Sequence, residues 1–160
     1  MARVYVSVGS NIDRERNVET ALQSLAREFG ELQQSTIYET AAVGFEGASF
    51  YNLVVGFDTE LSPQQVADAL RRIEDQQGRS RSGGKFSDRS MDLDLLLYDD
   101  LVLEAPGLTI PRPEIAHYAF VLRPLAEIAG DLKHPLTGSS FAAMWEAFDA
   151  SAQPMWPVEK

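Results

Sequence analysis

Two aspartates, Asp92 and Asp94, stand one residue apart in the run MDLDLLLY. Alternate side chains of a strand share a face, so their carboxylates lie roughly 6.5–7 Å apart on the same side. Like charges that close repel each other, and a divalent cation relieves the repulsion. Magnesium takes one or two protein carboxylates together with phosphate oxygens, so the pair suits a phosphoryl-transfer site. Acids shown to solvent by a half-exposed strand are the plainer reading of so short a motif. Leu93, Leu95 and Leu97 are expected on the opposite face, toward helices.

The residues before the pair weigh against the plain reading. Arg79, Arg81, Lys85 and Arg89 fall within eleven positions, with Asp88 the single acid among them. Guanidinium groups grip phosphate oxygens in pairs and stay charged at physiological pH. Arginine and magnesium together position a phosphate and neutralise its developing charge. Gly83-Gly84 interrupt this segment, which is expected to be mobile until ligand binds, although a solvated connection would have the same composition.

Phe50 and Asn52 share one face of a third strand. A ring that stacks and an amide that pairs suit a flat heterocycle, while a covered surface Phe and a turn-forming Asn are the alternative. Glu74, at the end of a helix, is placed either to accept from a ligand or loop arginine, or simply to be solvated. His117 and His134 have no zinc spacing, no nucleophile–base arrangement is visible, and no G-x-x-x-x-G-K-[ST] loop exists.

Composition narrows the classes. The chain has 160 residues with 14 Lys plus Arg against 24 Asp plus Glu, a formal charge of −10 that disfavours a nucleic-acid partner. A basic segment on an acidic protein points to a small anionic ligand. With 44% hydrophobic residues the chain is expected to be ordered, and its length suits one domain, residues 1–160. No run approaches a membrane span, no secretory leader is visible, and cysteine is absent, so a cytoplasmic protein is expected. A monomer is expected, with a homodimer as the alternative.

The elements that must position these residues follow from periodicity. Val4–Val8 alternates as a strand, Gly9-Ser10-Asn11 reads as a turn, and Asn11 or Asp13 can cap a helix carrying Val18, Leu22, Leu25 and Phe29. Thr36–Thr40 reads as a second strand and Phe50–Asp58 as a third, with Tyr51, Leu53, Val55 and Phe57 on one face. Ser62, Pro63 and Gln65 form a capping box for a helix with Val66, Leu70 and Ile73 buried. Met91–Tyr98 is the fourth strand. A helix at Ala119–Ala129, a short Pro-bounded strand and a helix near Phe141–Phe148 follow, and Pro154–Lys160 is expected to be a loose tail. The order β-α-β-β-α-β predicts an α+β fold, a ferredoxin-like α-β-α sandwich with a mostly antiparallel sheet.

The run RIEDQQGRSRSGGKFSDRSMDLDLLLYDD resembles the 6-hydroxymethyl-7,8-dihydropterin pyrophosphokinases, whose signature is an arginine-bearing loop entering an R-x-x-D-x-D-x-x-[LM] strand, here Arg89 to Leu97. VYVSVGSN, FYNLVV, LTIP and FVLRPLAEIA extend the likeness over nearly the whole chain. The resemblance implies diphosphate transfer from ATP to a dihydropterin alcohol, with AMP released. It implies that Asp92 and Asp94 hold two magnesium ions and that Arg79 and Arg89 contact phosphates. Glu74, Arg81, Phe86, Leu95, Thr109 and Arg112 would then form the nucleotide side. Thr40, Val43 and Asn52 would read the pterin edge, and Phe50 and Phe120 would sandwich its ring.

The chain departs from that family at several places. Arg112-Pro113 replaces a usual His followed by Pro or Tyr, and Tyr118 stands where a phosphate-binding arginine is usual. Phe86 replaces a common Trp, and Thr40-Ala41 a usual Thr-Pro. An arginine at position 112 supplies charge but cannot donate and release a proton. A pterin- or nucleotide-binding relative with weak turnover, and a ferredoxin-like interaction module, are the competing readings.

Overall fold

The computed structural model describes residues 1–40, 49–76 and 91–158. Chain order is β1 (Ala2–Ser10), α1 (Arg14–Phe29), β2 (Gln33–Gln34), β3 (Tyr38–Thr40), β4 (Phe50–Thr59), α2 (Pro63–Gln76) and β5 (Asp92–Tyr98). A hairpin of β6 (Leu103–Ala105) and β7 (Leu108–Ile110), a 3-10 turn (Pro113–Ala116), α3 (Ala119–Ala129), α4 (Phe141–Ala147) and β8 (Met155–Pro157) complete it. The main sheet runs β5-β1-β4-β3-β8, with β2 also on β4, and every pairing is antiparallel.

Alternation in the strands builds a core on each side of this sheet. Val4, Val6 and Val8 of β1 and Tyr51, Leu53, Val55 and Phe57 of β4 meet Val18 and Leu25 of α1 and Val66, Leu70 and Ile73 of α2. The opposite face, with Tyr5, Val54 and Leu96, meets Val121, Leu122 and Leu125 of α3 and Phe141 of α4. Helices therefore cover both faces, as the α-β-α expectation has it. Each large aliphatic side chain so buried contributes roughly 1.5–3 kcal/mol relative to exposure.

Local signals act where read. Ser62 Oγ accepts from the Gln65 amide at 3.2 Å, while Gln65 Oε1 accepts from the Ser62 amide at 2.9 Å, the reciprocal box that starts α2. For α1 the expected side-chain cap is not made: Asp13 holds the cap position in a left-handed conformation and offers only its carbonyl, which accepts from Asn17.

Five expectations are corrected by long-range pairing. Gly9 and Ser10 are not a turn but the end of β1, both paired with β4 and Gly9 with β5 as well. The strand expected at Thr36–Thr40 is shorter, because Ser35 and Thr36 bend away to bond Val54 and Glu127. Leu97 does not join Leu93 and Leu95: a register shift against Tyr5 and Val6 turns it to the α3 side. Of the tail expected at Pro154–Lys160, Met155–Pro157 is instead strand β8, paired with β3, and residues 159–160 lie outside the described residues. The short strand expected after α3 is reduced to one bridge between Lys133 and Ser140.

Candidate active site

Register places the acidic pair. Asp92 lies opposite Gly9 and Asp94 opposite Ser7, so both side chains leave the sheet on the α3 side. Asp94 is about 30% exposed and its carboxyl is pushed up to about 7, first by burial and then by the charge of Asp92. Glu74 and Glu114 push the same way, and Arg112 opposes them. The Arg112 guanidinium lies 3.4 Å from Asp94 Oδ1, and its Nε donates to Glu114 Oε2. Burial works against the Arg112 charge, but Asp94 and Glu114 outweigh it and hold the pKa above its ordinary value. The main chain fixes this geometry, because the Arg112 amide donates to the Leu96 carbonyl at 3.0 Å, directly after the cis Ile110-Pro111 peptide.

Glu74 is neither a solvated helix end nor open at both oxygens. It is 5% exposed, and its Oε2 accepts from the Leu93 amide at 2.8 Å. Leu93 is the residue between the two aspartates, so Glu74 secures the outer edge of β5 where the pair is displayed. A carboxylate buried beside two others needs this bond.

A row across the sheet joins Asp92 to an amide. Asp92, Gly9, Asn52 and Tyr38 are successive partners on β5, β1, β4 and β3. Asp92 and Asn52 are two strand spacings apart, roughly 9.5–10 Å. Asn52 is buried and its Nδ2 donates to Thr40 Oγ1 at 2.8 Å. The expected alternative of a turn-forming Asn does not hold, since Asn52 sits within β4. Gly9 makes the row possible: a Cβ there would lie 2.9 Å from Asn52 Oδ1. Phe50 pairs with Thr40 one step further along. Phe120, half-buried at the start of α3, tilts against Tyr118 with ring centroids 5.1 Å apart.

Thr109 is half-buried on β7. Leu95 buries its side chain in the α1–α2 core. Arg79, Arg81, Phe86, Arg89 and Val43 lie outside the described residues. Arg14 links the described residues on either side of 41–48, donating to Glu39 Oε2 at 2.9 Å and to the Ser49 carbonyl at 2.9 Å. Gly9 and Glu114 were not singled out by sequence. A glycine within an alternating strand marks close approach and would have revealed the first, whereas nothing in the sequence marks Glu114. Among the described residues no group of three His, Cys, Asp or Glu side chains could hold a metal.

Fold and site define a ferredoxin-like α+β sandwich with an acidic centre at one end of its sheet. The profile of the family 7,8-dihydro-6-hydroxymethylpterin-pyrophosphokinase matches residues 5–130, and the chain belongs to that family of diphosphotransferases. The chain is 37% identical over 139 residues to the 2-amino-4-hydroxy-6-hydroxymethyldihydropteridine pyrophosphokinase of Aquifex aeolicus, covering 85% of this chain and 86% of that one. The enzyme of the same name from Pseudomonas aeruginosa is 38% identical over 137 residues, covering 83% and 84%. The folic acid synthesis protein fol1 of Pneumocystis carinii is 35% identical over 158 residues, but the chain spans only 21% of its length. A Plasmodium falciparum HPPK-DHPS crystal structure matches with a TM-score of 0.71 at 16% identity, over 92% of this chain and 43% of that one, a likeness of fold.

Proposed function

We propose that this pyrophosphokinase transfers the diphosphate of ATP to 6-hydroxymethyl-7,8-dihydropterin, releases AMP, and requires magnesium. One observation carries the reading: Asp92 and Asn52 stand in one row on one sheet face, joined through a residue with no side chain, with Asp94 beside the first and Thr40 bonded to the second. The spacing suits a flat ring read at one end and a reacting group at the other.

The residues present fit a divalent cation. Asp94 carries a carboxyl pushed up to about 7 by burial and by Asp92, a cost that a bound cation removes. Asp92 and Asp94 would hold two magnesium ions, with phosphate oxygens and water completing hard oxygen shells. Magnesium, when bound, supplies positive charge against the charge developing on the phosphates. Arg112 adds fixed positive charge beside Asp94, and Arg79, Arg81 and Arg89 add theirs from the sequence just before the pair. Asn52 and Thr40 orient the pterin edge, and Phe50 and Phe120 hold its ring. The hydroxymethyl oxygen attacks the β-phosphorus, the bond from that phosphorus to the α,β-bridging oxygen breaks, and AMP leaves with that oxygen. Thr109, Glu74, Phe86 and the Leu95 main chain complete the nucleotide side, and Val43 the pterin side.

Arg112 favours a second reading, a relative that binds pterin or nucleotide with weak turnover, because its ion pair occupies an oxygen of Asp94. A turnover assay separates the two. AMP release that requires ATP, magnesium and the pterin alcohol together supports the enzyme. Saturating substrates with no AMP release would sink it. Cytoplasmic folate biosynthesis is the setting that suits this reaction, and no helix among the described residues is long and apolar enough to cross a membrane. The monomer is the proposed working form, since every site residue named comes from one chain.

A further inference from the structure

We infer that the C-terminal segment Gln153–Val158, beyond the stretch matched to the family profile, is a positioning strap for the pterin pocket, with Gln153 as its key residue. The inference rests on the pterin reading above.

Helix α3 begins without the usual help. Tyr118, at its cap position, makes no side-chain bond to the exposed amides of the first turn. Gln153 supplies one instead, from far along the chain: its Oε1 accepts from the Ala119 amide at 2.8 Å. The same carboxamide donates through Nε2 to the His117 carbonyl at 3.0 Å. One side chain thus grips the backbone on both sides of Tyr118, next to Phe120, the proposed lower face of the ring pocket. Tyr118 leans on Phe120, so fixing 117–119 fixes both rings.

Two residues further on, the strap reaches the opposite wall. Met155 pairs with Thr40 and Pro157 with Tyr38, the Val158 amide donates to the Ile37 carbonyl at 2.8 Å, and Trp156 Nε1 donates to Glu39 Oε1 at 3.2 Å. Thr40 is the hydroxyl that receives the Asn52 amide. Pro154, between the two grips, restricts the backbone joining them. The strap therefore sets the distance between the stacking wall at Phe120 and the reading wall at Thr40 and Asn52. Without it, β3 becomes an open edge of three residues and α3 loses an amide partner, so both walls loosen together.

The test uses the full chain with Gln153→Ala and Gln153→Glu, and Ser62→Ala as a destabilised control on the other sheet face. Hydrogen exchange at Ala119 reports the grip, and calorimetry with the dihydropterin alcohol reports pterin affinity. In Gln153→Ala, exchange at Ala119 should accelerate and the pterin Kd and KM rise about five- to tenfold, with kcat and the ATP KM within twofold. Gln153→Glu keeps an acceptor suited to a helix N-terminus and should fall between wild type and Gln153→Ala. Faster exchange with unchanged pterin affinity overturns the inference while leaving the pterin reading intact, as does an equal loss of affinity in Ser62→Ala. Failure of the wild type to bind the pterin overturns both.

Discussion

Gly9→Ala tests how closely the Asn52 amide, the proposed reader of the pterin edge, is set by the absence of a side chain. The added Cβ would come 2.9 Å from Asn52 Oδ1 and 3.9 Å from Phe50 Cδ1, the first about half an ångström inside ordinary contact. Backbone cannot yield easily, because Gly9 is paired on both sides, to Asn52 and to Asp92. The carboxamide must move instead. A displacement of that size stretches the 2.8 Å bond from Asn52 Nδ2 to Thr40 Oγ1 beyond good geometry. It also misaligns the atoms offered to the ring. Two or so hydrogen bonds at about 1 kcal/mol each correspond to a pterin affinity lowered roughly ten- to hundredfold. Stability should barely change, since the end of a side chain yields at small cost and alanine offsets it by about 0.5–1 kcal/mol over glycine inside a strand. Calorimetry with the pterin alcohol and with a magnesium–ATP analogue, beside a thermal melt, reads all three quantities. Pterin affinity within twofold of wild type, in a folded variant, would refute the close-approach reasoning. A parallel collapse of nucleotide affinity would show that the row is not divided as proposed.

Asp94→Asn should abolish magnesium-dependent nucleotide binding yet stabilise the protein when a chelator is present. The sign follows from a folded pKa of about 7 against an ordinary 3.8. Ionisation costs more in the folded state, so wild-type stability falls as pH rises from about 4 to about 7 and stays lowered above that. Melts from pH 4 to 8 should show the variant's advantage growing across that window, and a flat difference counts against the assignment. Arg112→Gln removes the cation that opposes burial at Asp94, so the acid limb of kcat/KM at limiting magnesium should move to higher pH by about half a unit to one unit; an unmoved limb would show that the 3.4 Å pair is electrostatically idle. Comparison with Arg112→His then shows whether the family's usual residue raises turnover. Ser62→Ala breaks the reciprocal box of α2 and should cost about 1 kcal/mol in urea unfolding with turnover unchanged.

Legibility in the sequence tracks the range of the interaction that decides each feature. The box at Ser62 and Gln65 spans three residues and is chosen by local hydrogen bonds, so its letters suffice. The shared face of Asp92 and Asp94 follows from strand period alone. Leu97 breaks the same rule because the shift lies in the pairing of β5 with β1, which no single strand records. Gly9-Ser10-Asn11 has turn composition, but pairing with β4 holds the first two extended, and β5 adds a second partner for Gly9. Glu74 was equally readable as solvated or ligand-facing. Its actual partner is an amide on the outer edge of β5, an edge that exists only once the sheet is ordered. The C-terminal segment has the prolines of a tail, and its pairing with β3 depends on where α4 leaves the chain.

The departures from the family pattern take on a different meaning once they are placed. By sequence, Arg112 and Tyr118 stand where phosphate-contacting groups are usual, which would confine their effect to the nucleotide. In the structure Arg112 is the cation on Asp94 itself, and Tyr118 is the ring leaning on Phe120. Each departure touches one of the groups that match the family rather than standing apart from them. Arg112 lowers the cost of keeping Asp94 ionised, while its ion pair takes one of the Asp94 oxygens. Tyr118 exchanges a charge for a ring that packs on Phe120 of the proposed stacking wall, at the stretch of chain that Gln153 grips. A charge lost at 118 and a charge gained at 112, beside the proposed metal pair, amount to moving positive charge along the same sheet face from the proposed pterin wall toward the acids. Reversing one substitution alone should therefore perturb more than reversing both. The double variant Arg112→His with Tyr118→Arg, measured against each single change, should show a coupling of the two effects on kcat/KM, and strict additivity would show that the two sites act independently.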